Sequence, residues 1–127
     1  MSISRKLFVT ASAFGLAAVA LGAFGAHSLR ETISADMFSV FDIGVRYQMY
    51  HTFALFIAAW FFQSRQGRKF LLAAWFFIAG VVLFSGSLYL LAVTGIRALG
   101  FVTPLGGLLL LAGWAMMAMG FLEEKSE

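Results

Sequence analysis

The side chains in this sequence with chemistry to offer are a run of hydrogen-bonding residues, two histidines and a pair of serines. The run is Arg46-Tyr47-Gln48-Met49-Tyr50-His51, and the apolar stretch Phe53 to Phe62 follows it directly. On a helix, residues three or four apart are neighbours, so Asp42 reaches Arg46, Tyr47 reaches His51, and Gln48 reaches His51. A histidine in that setting can carry a proton or hold a polar head group, and an arginine beside it attracts an anion. Further on, Ser85-Gly86-Ser87 and Tyr89 add hydroxyls, and His27 follows Gly25-Ala26. The candidate ligand-binding set is therefore His27, Arg46, Tyr47, Gln48, His51, Ser85 and Ser87. The same residues support a second reading. In it Arg46 snorkels to head groups, Tyr47 and Tyr50 form an aromatic belt, and His51 is a satisfied packing residue.

Several chemistries are not expected. With no cysteine there is no disulfide, no thiolate zinc site and no thiol nucleophile. The two histidines sit in separate segments and would need further ligands to hold zinc, so no metal is expected. No Gly-x-Ser-x-Gly or His-Glu-x-x-His pattern occurs, and the serines have no identifiable base or oxyanion hole. A non-enzymatic chain without a cofactor is the expectation. The formal charge of +3 comes from short basic groups at the ends of apolar segments, where they act as topology signals and not as a nucleic-acid stripe.

The elements that must position these residues are membrane helices. The chain is 61% hydrophobic and only 12% charged, against about 25% charged in an average soluble domain. Crossing a bilayer takes about 20 apolar residues, and four stretches qualify, at about 7–26, 43–62, 70–93 and 105–122. The first also matches a secretory signal, with Arg5 and Lys6 as its basic end, but its apolar part is longer than such a signal needs. The second qualifies only by taking the polar run into the membrane. Between spans one and two, at about 28–42, Leu29, Ile33, Met37, Val40 and Phe41 share one face and Arg30, Glu31, Ser34, Asp36, Ser39 and Asp42 fill the other. This pattern predicts an amphipathic helix lying in the interface, with Thr32, Ser34 or Asp36 as its N-cap.

Small residues line two spans. Ala11, Gly15, Ala18, Gly22 and Ala26 recur at helical spacing in span one, and Gly106, Gly113 and Gly120 stand seven apart in span four. Such strips admit a neighbouring helix closely, within the chain or between copies. Basic residues set the orientation: Arg5, Lys6, Arg65, Arg68, Lys69 and Lys125 fall on one side of four spans, and Arg30, Arg46 and Arg97 on the other. The excess places both termini in the cytoplasm. The expected fold is an all-α integral membrane protein, one domain over 1–127.

The motifs Gly22-Ala23-Phe24-Gly25-Ala26-His27, Gly44-Val45-Arg46-Tyr47-Gln48-Met49-Tyr50-His51, Phe84-Ser85-Gly86-Ser87-Leu88-Tyr89, Thr103-Pro104-Leu105-Gly106-Gly107 and Ala112-Gly113-Trp114 occur in this order. Together they resemble the domain-of-unknown-function 423 family, the YgdD-like small inner-membrane proteins with small transmembrane relatives in animals. The resemblance implies a four-span protein of the bacterial inner membrane and supplies no reaction. Two functions are then expected in competition. One is a protein that self-associates or joins a membrane assembly affecting envelope properties, with the bilayer and a second copy or membrane protein as partners. The other is a lipid, quinone or ion binding protein or small conduit built on the polar cluster around His51.

Overall fold

The computed structural model describes residues 1–123; Lys125, used above for orientation, lies outside the described residues. Four helices run in sequence, α1 (Ile3–His27), α2 (Ala35–Arg65), α3 (Arg68–Thr94) and α4 (Thr103–Leu122). Short 3-10 turns at Leu29–Glu31 and Arg97–Phe101 join α1 to α2 and α3 to α4. Each helix packs antiparallel on the next. Gly25 faces Phe41 and Gly15 faces Thr52 across α1 and α2, while Phe61 stacks on Phe70 at 5.3 Å across α2 and α3.

Local signals account for the helix ends. Ser2 Oγ accepts the Arg5 N–H at 3.2 Å, and Ser34 Oγ accepts the Met37 N–H at 3.1 Å, so Ser34 is the cap chosen from the three candidates before α2. Gly95 closes α3 in the left-handed conformation at φ 71°, and Pro104 sits in the first turn of α4, where its missing N–H is not needed. Gln66 takes the equivalent left-handed position after α2 at φ 52°.

The helix expected at about 28–42 is not a separate element. Its first residues form the 3-10 turn, and the remainder begins a 31-residue helix that runs unbroken through the second span. The apolar face read as membrane-lying packs instead on protein: Leu29 and Phe41 are buried with Ala92, against Leu21, Val45 and Tyr89. Amphipathic periodicity reports only that one face is covered, and here α1 and α3 cover it. At about 1.5 Å per residue, α2 is about 46 Å long, against about 30 Å of bilayer hydrocarbon. Among the described residues, three segments are long and apolar enough to cross a membrane, Ile3–Glu31, Arg68–Thr94 and Arg97–Leu122. α2 is long enough but too polar to join them.

The small-residue strips pack largely inside the chain. In α1, Ala11 and Ala18 are buried and Gly15 and Gly22 face Thr52 and Val45 of α2, while Ala26 is exposed and the neighbouring Gly25, outside the expected strip, meets Phe41. In α4, Gly106, Gly113 and Gly120 meet Phe84, Phe77 and Phe70 of α3, which are themselves seven apart. A Cβ on Gly113 would lie 2.5 Å from the Phe77 ring, and one on Gly120 would lie 2.9 Å from the Phe70 ring. The main core, including Leu7, Leu55, Phe70, Phe77, Leu110 and Met117, draws on all four helices.

Candidate functional site

Gln48 stands where three helices meet. It is 5% exposed, and its amide donates from Nε2 to the Phe14 carbonyl of α1 at 2.7 Å while Oε1 accepts the Tyr89 hydroxyl of α3 at 2.7 Å. These two partners fix the amide orientation, because the Phe14 carbonyl can only accept. One helical turn away, Ser85 Oγ donates to the Gly44 carbonyl at 2.7 Å, joining α3 to α2. Gly44 permits that approach: a Cβ there would lie 2.7 Å from the Tyr89 ring.

His51, also 5% exposed, connects α2 to α4. Its Nδ1 lies 2.7 Å from the Tyr47 carbonyl and its Nε2 lies 3.0 Å from the indole Nε1 of Trp114. The carbonyl only accepts and the indole N–H only donates, so the proton belongs on Nδ1 and the ring is neutral. Both nitrogens are thereby engaged. The ring faces are covered too, by Tyr47 at 6.0 Å and Phe77 at 5.7 Å. Ser87 lies nearer the start of α4, sharing a hydrogen bond of 2.6 Å with Thr103 and donating to the Phe84 carbonyl at 2.9 Å.

The expected site residues thus divide. Gln48, His51 and Ser85 are buried along one inner layer, Tyr47 borders it, packed over Phe84 at 4.8 Å, and Ser87 is buried apart from it beside Thr103. Arg46 turns outward, 64% exposed, and pairs with Asp42 at 2.9 Å. His27 is exposed at the last turn of α1, apart from the layer. Trp114, Thr52 and Thr103 were not among the expected residues. Thr52 donates to the Gln48 carbonyl at 2.7 Å. The available signal for Trp114 was general: a tryptophan in an apolar span needs an acceptor for its N–H.

The layer offers hydrogen bonds from neutral groups only, each spent on another helix or on its own backbone. Its direct chemical consequence is adhesion. Trp114→Phe removes the indole donor and strands His51 Nε2, at an expected cost of about 1 kcal/mol. A double-mutant cycle of Trp114→Phe with His51→Phe, read by unfolding in mixed micelles, will return a coupling of about 1 kcal/mol if the bond links α2 and α4. Strict additivity would mean that it does not.

A bundle of long apolar helices with a hydrogen-bonded polar layer at its centre is a small multi-pass membrane protein. The model of the family "Protein of unknown function (DUF423)" matches residues 21–107, and this chain belongs to that family. It is 43% identical over 122 residues to the UPF0382 inner membrane protein YgdD of Escherichia coli (strain K12), covering 96% of this chain and 93% of that protein. It is 44% identical over 116 residues to the UPF0382 membrane protein YwdK of Bacillus subtilis (strain 168), covering 90% and 94%. No solved structure gives a significant match. The protein is an integral protein of the bacterial inner membrane.

Proposed function

We propose that this protein is a non-enzymatic, four-span membrane protein with both termini in the cytoplasm, which pairs with a second copy through the outer flank of α2 and acts on envelope properties through that assembly. The observation that carries the reading is the polarity of this flank. Asp42 and Arg46 form their ion pair on the outside of the bundle, and Tyr47 and Tyr50 are exposed beside it, above Phe53, Ile57 and Trp60. Tyr50 lies about 13 Å further along α2 than Phe41, at about 1.5 Å per residue, so this polarity extends well below the end of α1. Polar and ionisable groups at membrane depth face protein or water and not lipid. Opposite charges one turn apart also suit a two-fold interface, in which each copy offers its aspartate to the other's arginine.

Four spans are supported by the length of α2 and by the charge distribution. The start of α1, the end of α2 and the start of α3 lie at one end of the bundle, and they bring Arg5, Lys6, Arg65, Arg68 and Lys69 together. The polar layer at His51 serves in this reading as the clasp that holds the helices, since both ring nitrogens already have protein partners.

The absence of cysteine makes the test direct. Single cysteines are introduced at Tyr50 on the α2 flank and at Leu16 on the exposed face of α1, and oxidative cross-linking is run in native membranes. Tyr50→Cys is expected to give a covalent dimer and Leu16→Cys only monomer. Equal yields at both sites, or none at Tyr50, would remove the α2 interface.

A further inference from the structure

At the end of the bundle where α3 finishes, an open cleft of about 520 Å³ is lined by Ser34, Asp36, Met37, Leu91, Gly95 and Arg97. That volume lies within the range of small-molecule sites, about 300–1,000 Å³. Its walls are of two kinds. Leu91, on the last turn of α3, and Met37, on the first turn of α2, are apolar, while Asp36 and Arg97 contribute opposite charges. Among the described residues, neither of these charged groups has an ion-pair partner, and they do not pair with each other. The Met37 N–H is already taken by Ser34 Oγ, and the cation among the lining residues is Arg97.

The position of the cleft restricts what can fill it. α3 is apolar enough to span, ends at Thr94 and is capped by Gly95, so the cleft opens at the level where phospholipid head groups lie. A ligand that engages both charges carries an anion and a cation, with an apolar stem to lie along Leu91 and Met37. A phosphoethanolamine lipid has all three. Its phosphate suits a guanidinium, and its primary ammonium offers N–H donors to a carboxylate. A choline head group lacks those donors, and a glycerol head group lacks the cation and would leave Asp36 facing an anion.

We propose that this cleft seats the head group of an aminophospholipid, with phosphate on Arg97, ammonium on Asp36 and the first acyl carbons along Leu91 and Met37. The site uses neither the His51 layer nor the α2 flank.

The full chain is reconstituted in nanodiscs containing equal amounts of phosphatidylethanolamine, phosphatidylcholine and phosphatidylglycerol with matched acyl chains. It is then released, and the lipid retained is identified by native mass spectrometry. Phosphatidylethanolamine is expected to be retained about tenfold over the other two, which corresponds to about 1.4 kcal/mol. Arg97→Gln should abolish retention. Asp36→Asn should level phosphatidylethanolamine with phosphatidylcholine, and Arg30→Gln, at the same end of the bundle, should change nothing. Equal retention of the three lipids by the unmodified chain would overturn the proposal, as would an equal loss with Arg30→Gln. Competition by soluble glycerophosphoethanolamine at the same concentration as the lipid would overturn the assignment to a bilayer lipid. Retention by monomers and by dimers is equally expected, so failure of the α2 cross-link leaves this result readable on its own.

Discussion

Gly106→Ala is expected to break the docking of α4 on α3, although it adds a single methyl group. A Cβ at Gly106 would fall onto the Phe84 backbone, reaching its Cα at 2.7 Å and its Cβ at 2.8 Å, with its amide nitrogen nearer still. Backbone cannot rotate away as a side chain can, so the helices must separate or slide. Overpacking of this kind costs up to about 3 kcal/mol, or more when nothing can yield. The next residue is an internal control. A Cβ on Gly107 would meet only the Phe84 ring, at 3.8 Å and 3.9 Å, which is ordinary contact. Gly107→Ala should therefore hold or raise stability, by up to about 1 kcal/mol from helix propensity. Unfolding of both variants by denaturing detergent in mixed micelles separates the cases. Equal stability of the two would show that α3 and α4 are not in contact through Gly106.

Gln48→Leu should have the second largest effect, because one side chain joins three helices. The substitution removes the bond to the Phe14 carbonyl and leaves the Tyr89 hydroxyl without its acceptor. Interhelical hydrogen bonds in membranes contribute about 0.6 to 2 kcal/mol each, and stranding the half-buried Tyr89 hydroxyl adds to the loss, toward the lower end of the about 1 to 3 kcal/mol of a fully buried group. The expected loss is about 2 to 4 kcal/mol. Tyr89→Phe in the same chain removes the stranded group, so the double variant should be less destabilised than the sum of the single ones. If the two losses simply add, the Gln48–Tyr89 bond is not formed in the bilayer.

These two sites differ in how far they could be read beforehand. The glycine stripe of α4 is plain from its seven-residue spacing, whereas the matching spacing of Phe70, Phe77 and Phe84 acquires meaning only with an antiparallel neighbour in place. Gln48 and His51 stood out because polar groups are costly in lipid. Their partners did not stand out: Phe14, Tyr89 and Trp114 lie 34, 41 and 63 residues away in the chain. No local spacing rule reaches so far. Arg46 joins the cluster by proximity in sequence and His27 only by residue type and motif, and the helix turns Arg46 outward while His27 remains at the exposed end of α1.

Taken by itself, the amino-acid sequence determined the class and most of the element ends. Apolar stretches of bilayer length require helices because backbone polar groups must bond internally in lipid, and Ser34, Gly95 and Pro104 mark ends by their own local chemistry. Tertiary structure alone decided which surface each face meets. An amphipathic face reads the same whether lipid or helix covers it, and α1 and α3 cover the start of α2. A small-residue strip reads the same for a neighbour in the chain or in another copy, and Phe84, Phe77 and Phe70 occupy the one in α4. The polar side chains of α2 signal only that partners must exist. Packing turned Gln48 and His51 inward to three helices and left Asp42 and Arg46 on the flank.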